Sequence, residues 1–266
     1  MISSKTKISL LVAGHVVAGL LLAWAAEPAA NGFPVAQLGL FALVFAEAGL
    51  IGFWGGLSAA RSAWRLFAVL VATLYLWAIF AVAIRDPNDH LALFVIALTI
   101  VPVFVILSCL RHSRRQLRTV DLASLSTATE GFQFSIRHLM LATAIVALVL
   151  GIGRGIRTIS NRQSDIVVVA VFPPCFVMVE LATLWAAFGI GRPTPRLAVV
   201  VPTAFIVGAI PVFYAPGPSD PSIPKLLIWP TIVSLQAIIT ACSLLVIRSC
   251  GWRLVSGEGI TAPPEA

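Results

Sequence analysis

The chain has 266 residues, of which 59% are hydrophobic and only 11% are charged. A soluble domain carries roughly a quarter charged residues, and a chain with so few cannot cover a water-facing surface. The composition therefore excludes an ordinary soluble protein and predicts an all-α, polytopic bundle of transmembrane helices. The net charge of +7 comes from basic residues scattered in short loops. This pattern indicates contact with anionic lipids and excludes a nucleic-acid-binding surface.

Eight apolar stretches divide the chain, most of them close to the roughly 20 residues that cross about 30 Å of hydrocarbon. They cover residues 8–26, 35–57, 66–84, 91–110, 138–153, 166–190, 197–215 and 226–247. The largest pieces outside them are a basic loop at 111–135 and a tail at 248–266, both predicted to be cytoplasmic. Neither is long enough to bury a core, so the sequence predicts one integral membrane domain over 1–266.

The first stretch also has features of a secretory signal peptide. In "MISSKTKISLLVAGHVVAGLLLAWAAEP" a basic beginning precedes an apolar core and an AWA that resembles a cleavage site. Because the apolar part approaches a full spanning length, we expect it to be retained as the first of eight spans. Cleavage would leave seven spans and place the new N-terminus outside.

The distribution of basic residues predicts the orientation of the chain in the membrane. With the N-terminus in the cytoplasm, thirteen Lys and Arg residues fall on the cytoplasmic side and five on the outside. Positive charge accumulates on the cytoplasmic side of membrane proteins. We therefore expect a multi-pass protein of the bacterial inner membrane with both termini in the cytoplasm.

The second stretch carries small residues at regular spacing. Ala48, Gly52 and Gly56 repeat every four residues, and the last two form a GxxxG pattern. Small residues at this spacing let another helix approach closely in a membrane. We expect this helix to lie at the centre of the bundle.

Polar side chains inside the apolar stretches are the candidate functional residues, because a carboxyl group in hydrocarbon is costly and faces a partner or water. They are Glu47, Glu180 and His15, with Gln236 as a neutral neighbour. A rise of about 1.5 Å per residue puts the three ionisable groups in the inner half of the membrane, within a few Å of one depth. One hypothesis is that they converge on a proton- or cation-binding site. The other is that each bonds a neighbouring helix separately.

No catalytic pattern occurs in the sequence. The motifs HExxH, GxSxG and Walker A are absent, and Cys and His do not cluster at metal-ligand spacing. The four cysteines form no CxxC pair, which argues against a disulfide framework. We therefore expect neither a cofactor nor a metal, and the absence of a recognisable catalytic motif favours a function other than catalysis.

The junction "FQFSIRHLM" leads directly into the fifth stretch. Ser135 is suited to cap the helix and Phe134 to pack on its first turn. Arg137 opposes the helix dipole but can reach the phosphates of the inner membrane face. These three residues are predicted to anchor the chain where it enters the membrane.

The same junction carries a resemblance to a known group of proteins. "FQFSIRHLMLATAIVALVLGIGR", residues 132–154, resembles the Phe-Ser-Leu-Arg segment of uncharacterised planctomycete-type integral membrane proteins. The tail "RSCGWRLV", residues 248–255, is similar to the Gly-Tyr/Trp-Arg-Leu ending seen there. Ile136 replaces the usual Leu, and His138 replaces an acidic or polar residue. The resemblance implies lineage and a membrane location, and it assigns no functional residue.

Three functions are compatible with these features. The first is a structural or regulatory bundle that binds lipids or partner membrane proteins. The second is a secondary transporter or a proton- or cation-coupled channel that uses Glu47 and Glu180. The third is an enzyme embedded in the membrane. The first two functions differ in what they require of the two glutamates. Transport requires both glutamates to lie together beside a polar cavity, and it fails if both face lipid or dry packing.

Overall fold

The computed structural model describes residues 3–25, 35–58, 61–84, 90–112, 115–119, 163–189, 192–214 and 223–256. Seven helices make up most of this part of the chain. They are α1 (Ser4–Ala25), α2 (Val35–Leu57), α3 (Ser62–Ile84), α4 (His90–His112), α5 (Gln163–Phe188), α6 (Pro193–Tyr214) and α7 (Ile223–Ser249). The predicted all-α class is confirmed.

All seven helices are long and apolar enough to cross a membrane, and the chain is a membrane protein. They coincide with seven of the eight predicted stretches. The remaining stretch, 138–153, lies outside the described residues, and so do the anchor residues Phe134, Ser135 and Arg137.

Helix α2 lies at the centre of the described bundle and packs against α1, α3, α4 and α7. The predicted close approach at its glycines is confirmed for α4. A Cβ atom at Gly52 would lie 2.9 Å from Cβ of Val103, and one at Gly56 would lie 2.6 Å from Cβ of Leu107. Real Cβ atoms do not come this close to other atoms, so glycine is required at both positions for α4 to lie where it does.

The aromatic core joins α2 to α5. The rings of Phe45 and Phe176 stack with centroids 3.8 Å apart, and Phe172 makes an edge-on contact with Trp229 of α7. Helices α4 to α7 contain prolines and continue through them. Membrane helices tolerate proline where neighbouring helices satisfy the freed backbone groups.

A two-stranded antiparallel ribbon links the ends of α4 and α7. Strand β1 (Arg115–Thr119) pairs with β2 (Trp252–Ser256). Gly251 has φ of 86°, and this left-handed conformation, which favours glycine, ends α7 and turns the chain into β2. The sequence predicts only loop and tail here. The difference has a physical reason, since backbone groups beyond a helix end need partners, and two neighbouring ends supply them to each other.

Four helix C-termini meet at this end of the bundle, and arginines donate hydrogen bonds to carbonyl groups at the ends of two of these helices, α2 and α5. Arg65 donates to Gly55 at 2.9 Å, Arg111 donates to Ser58, and Arg248 donates to Ala187. Cations at helix C-termini complement the helix dipole. These three arginines, together with Arg196, belong to the thirteen basic residues predicted to be cytoplasmic. We call this region the arginine end.

Helix α1 lies at the edge of the described bundle. Among its described side chains most are exposed or half-buried, and only Gly19 is buried. Its specific contacts with other helices are therefore few, and they include the polar contact of His15 described below.

The glycine contact between α2 and α4 predicts a large effect of one added methyl group. We expect Gly56→Ala to lower the free energy of unfolding by about 1–3 kcal/mol, since the methyl group would overpack the interface. The midpoint of thermal unfolding in a fixed detergent measures the change. Gly14→Ala is the matched control, because a Cβ atom there meets nothing within 4 Å. Equal midpoints for the two variants would contradict the packing.

Candidate functional site

His15 of α1 bonds two helices at once. Its Nδ1 lies 3.3 Å from Oε1 of Glu47 on α2, and its Nε2 lies 2.9 Å from Oγ of Ser243 on α7. The side chains of His15 and Glu47 are 17% and 11% exposed, so both stay in contact with the space beside them. The group of His15, Glu47 and Ser243 is called the histidine cluster below.

Ser243 joins the histidine cluster to the backbone of α7. Its Oγ lies 2.9 Å from the carbonyl oxygen of Ile239 and 2.9 Å from Nε2 of His15. The one hydroxyl proton can be donated to either atom, so these contacts fit both neutral tautomers of His15 and its protonated form. The contact between Nδ1 of His15 and Oε1 of Glu47 needs a proton on one of the two atoms.

Glu180 of α5 belongs to a second and separate cluster. Its Oε1 accepts hydrogen bonds from Nε2 of Gln236 at 2.7 Å and from Oγ1 of Thr240 at 2.9 Å. Glu180 is 4% exposed, and both donors are neutral groups of α7. The group of Glu180, Gln236 and Thr240 is called the glutamate cluster.

Gly49 of α2 makes room for the carboxyl group of Glu180. A Cβ atom at position 49 would lie 2.1 Å from Cδ of Glu180 and 2.3 Å from its Oε2. Any side chain there would displace the carboxyl group. Helix α2 thus contributes Glu47 to the histidine cluster, and at Gly49 it leaves the space that the carboxyl group of Glu180 occupies in the glutamate cluster.

The structure brings the four predicted residues together in two pairs rather than in one site. His15 bonds Glu47, and Gln236 bonds Glu180. The two clusters also include Ser243 and Thr240 of α7, which are three residues apart. Three residues correspond to about 4.5 Å along a helix. This spacing agrees with the predicted common depth, although the two carboxyl groups have different partners.

Three residues of the site were not singled out from the sequence: Ser243, Thr240 and Tyr75, which lines a cavity between α1, α2 and α3. A signal was present for the first two, because Gln236, Thr240 and Ser243 follow the spacing i, i+4, i+7 and share one face of α7. Such a polar stripe on an apolar helix indicates a face that bonds other helices. Tyr75 had no such signal.

The histidine cluster borders a cavity of about 470 Å³ between α1, α2 and α3, which we call the α1–α3 cavity. Its polar walls are His15, Glu47 and Tyr75. The remaining lining is apolar and consists of Ile8, Leu11, Val12, Val16, Leu50, Ile51, Phe53, Trp54, Ala68, Ala72, Ile247 and Trp252. Val12 and Trp54 are also exposed, at 58% and 44%, so the cavity adjoins the outer surface of the described bundle.

Among the residues that the structure describes, no group of three His, Cys, Asp or Glu side chains could hold a metal ion. A scan against protein-family models, a search of curated proteins and a search of solved structures each found no match to the chain. We therefore infer the function from the geometry of the two clusters and the cavity.

The contact between Gly49 and Glu180 predicts energetic coupling between two helices. We expect Gly49→Ala to destabilise the protein by about 1–3 kcal/mol, because the methyl group displaces the carboxyl group. In the Glu180→Ala background the same change has no carboxyl group to displace and costs less. Thermal unfolding of both single variants and the double variant measures this coupling. Strictly additive losses would show that the two residues do not interact.

Proposed function

We propose that this chain is a structural or regulatory component of a bacterial inner membrane that binds lipid-like molecules in the α1–α3 cavity. The observation that carries the proposal is the combination of an apolar cavity with a few convergent polar groups. Its volume of about 470 Å³ falls in the range of roughly 300–1,000 Å³ typical of small-molecule sites.

The position of the cavity supports a ligand that arrives from the bilayer. The cavity adjoins the outer surface of the described bundle, and in a membrane that surface faces hydrocarbon. An apolar molecule gains little by exchanging lipid for an equally apolar wall. Selective binding therefore depends on the polar side chains His15, Glu47 and Tyr75.

The arginine end supports the proposed orientation with this end in the cytoplasm. Beside the arginines that bond helix ends, Arg61 and Arg192 are exposed there. Exposed arginines at the inner membrane surface attract anionic lipids, and an apolar bundle of this kind also offers surface to partner membrane proteins. The proposal requires that α1 is retained, since α1 supplies His15. Intact-mass measurement of the purified protein establishes whether it is.

Filling the cavity tests this function. We expect Ala72→Leu to weaken binding of a bromine-tipped alkyl chain by about tenfold, because the larger side chain occupies the space and overpacks the bound ligand. Quenching of Trp252 fluorescence reports binding in a chain whose other six tryptophans are replaced by phenylalanine. A chain that keeps only Trp64, which does not line the cavity, gives the quenching due to partitioning into lipid.

Ala78→Leu is the matched control for this experiment. Ala78 lies on the same helix but is exposed on its surface, so its substitution leaves binding unchanged. Quenching of Trp252 that never exceeds the Trp64 baseline, or that is equal in both variants, would refute the proposed function.

A second candidate is proton- or cation-coupled transport, favoured by the contact of His15 with Glu47 at the cavity wall. Glu180 lies in the other cluster, so coupling would involve the histidine cluster alone. If the chain transports protons, Glu47→Gln abolishes the flux that a pH gradient drives in proteoliposomes, whereas Glu180→Gln retains it. Unchanged flux in the Glu47 variant rules out this candidate.

A further inference from the structure

We infer that the α1–α3 cavity holds one acyl chain of an anionic phospholipid, whose phosphate lies at the arginine end beside Arg61. This inference rests on the function proposed above and names its ligand. Three features carry it: the depth of the cavity in the membrane, the arginines that continue one of its walls, and the positions of the acidic residues in the described part of the chain.

The cavity extends along its helices within one leaflet of the membrane. On α1 its lining runs from Ile8 to Val16, which corresponds to about 12 Å. On α2 it runs from Glu47 to Trp54, and Trp54 lies three residues before the end of the helix at Leu57. Half of the hydrocarbon layer is about 15 Å thick. The cavity therefore begins near the membrane surface at the arginine end and ends near the middle of the bilayer.

An acyl chain of the adjoining leaflet already has this depth and direction. Its head group lies at the membrane surface, and the chain runs inward roughly parallel to the spanning helices. A water molecule in the liquid takes up about 30 Å³, so a cavity of about 470 Å³ holds on the order of fifteen non-hydrogen atoms. One chain of a phospholipid fits this space, while the second chain stays in the bilayer and the head group stays at the arginine end.

Helix α3 carries arginines on the face that lines the cavity. The lining residues of α3 are Ala68, Ala72 and Tyr75. Arg61 and Arg65 continue their spacing of four and three residues toward the arginine end, so the five positions share one face. Arg61 directly precedes α3, and its carbonyl oxygen accepts the hydrogen bond of the Arg65 amide. The wall of the cavity thus leads to two positive charges at the membrane surface.

The two arginines differ in what they offer a head group. Arg65 is 8% exposed, and it donates to the carbonyl oxygen of Gly55 at 2.9 Å and to Oγ of Ser62 at 3.2 Å. These bonds hold its guanidinium group in place, so it contributes positive charge. Arg61 is exposed. An arginine can donate two parallel hydrogen bonds to a phosphate, and we assign this contact to Arg61.

The acidic residues of the described ranges lie away from the arginine end. Glu47 and Glu180 lie within the spans of α2 and α5, and Asp165 belongs to the first turn of α5, at the opposite end of the bundle. A head group with a net negative charge is therefore attracted without competition from these carboxyl groups. The polar side chains of the cavity wall act on the part of a ligand that lies inside, and this charge adds a second selection outside it.

Competition between two phospholipids in nanodiscs tests the inference. Phosphatidylglycerol is anionic and phosphatidylcholine has no net charge, and each carries one brominated acyl chain that quenches tryptophan fluorescence. In the chain that keeps only Trp252, we expect phosphatidylglycerol to quench at a mole fraction about fivefold lower than phosphatidylcholine. A chain that keeps only Trp24, which is 82% exposed near the other end of α1, gives the lipid preference of the general protein surface.

Arg61→Gln removes the guanidinium group that holds the phosphate. We expect this variant to lose the fivefold preference, while both lipids still quench Trp252. Arg192→Gln is the matched control, because Arg192 is exposed at the same end and its loss changes the net charge equally. It precedes α6, which supplies none of the described residues that line the cavity, so its preference should equal that of the unmodified site. Ala72→Leu weakens quenching by both lipids.

Three outcomes overturn the inference. Equal quenching of Trp252 by both lipids, above the Trp24 baseline, shows that the cavity holds a chain without selecting its head group. An equal loss of preference in the Arg61 and Arg192 variants shows a general attraction of charge. Loss of the preference when glycerol phosphate is added in solution identifies a site for a free phosphate. The proposed function stands in these three cases. If neither lipid quenches Trp252 beyond the Trp24 baseline, both the inference and the proposed function fail.

Discussion

The glycine face of α2 is the constraint on which the described bundle depends. Gly49, Gly52 and Gly56 follow the spacing i, i+3, i+7 and lie on one side of the helix. In lipid, helices gain little from burying apolar surface against each other, and close packing supplies much of their association. The same stripe admits α4 at two positions and the carboxyl group of Glu180 at the third. The distance between helices and the place of a buried polar group thus have one structural cause.

Helix α7 complements this arrangement by serving both polar clusters. Gln236 and Thr240 bond Glu180 of α5, while Ser243 bonds His15 of α1. Each bond satisfies a polar atom that hydrocarbon would leave unpaired. The two clusters differ in surroundings, however. The glutamate cluster is enclosed by packed helices and consolidates the core, whereas the histidine cluster borders a cavity. Only the second combines polar groups with space for a ligand.

Much of the fold could be predicted from hydropathy, and the candidate site only in part. Seven described helices coincide with predicted stretches, and the GxxxG pattern at Gly52 and Gly56 correctly indicated close packing. Glu47 and Glu180 were recognisable because charge is costly in lipid, and their common depth followed from the helical rise. Their separation into two clusters was not predictable, because sequence periodicity does not tell which helices are neighbours.

Other features of the structure could not be predicted from the sequence, for different reasons. Ser243 and Thr240 resemble the many hydroxyl residues of membrane helices that bond their own backbone, and only their alignment with Gln236 distinguishes them. The place of Tyr75 at the cavity depends on α1 lying beside α3. Strand β1, with the sequence RQLRT, is too polar to suggest a strand, and its pairing with β2 depends on two helix ends that lie 137 residues apart, at His112 and Ser249.

The bond between His15 and Ser243 joins α1 to α7, and 228 positions separate the two residues in the chain. During synthesis α1 enters the membrane long before α7 exists. His15 must therefore remain without this partner, bonded to water, lipid or Glu47, while the intervening segments are inserted. The cluster closes only when α7 arrives, so its completed hydrogen bonds mark a chain whose assembly has finished, and an assembly that stalls earlier leaves a polar imidazole open to the bilayer.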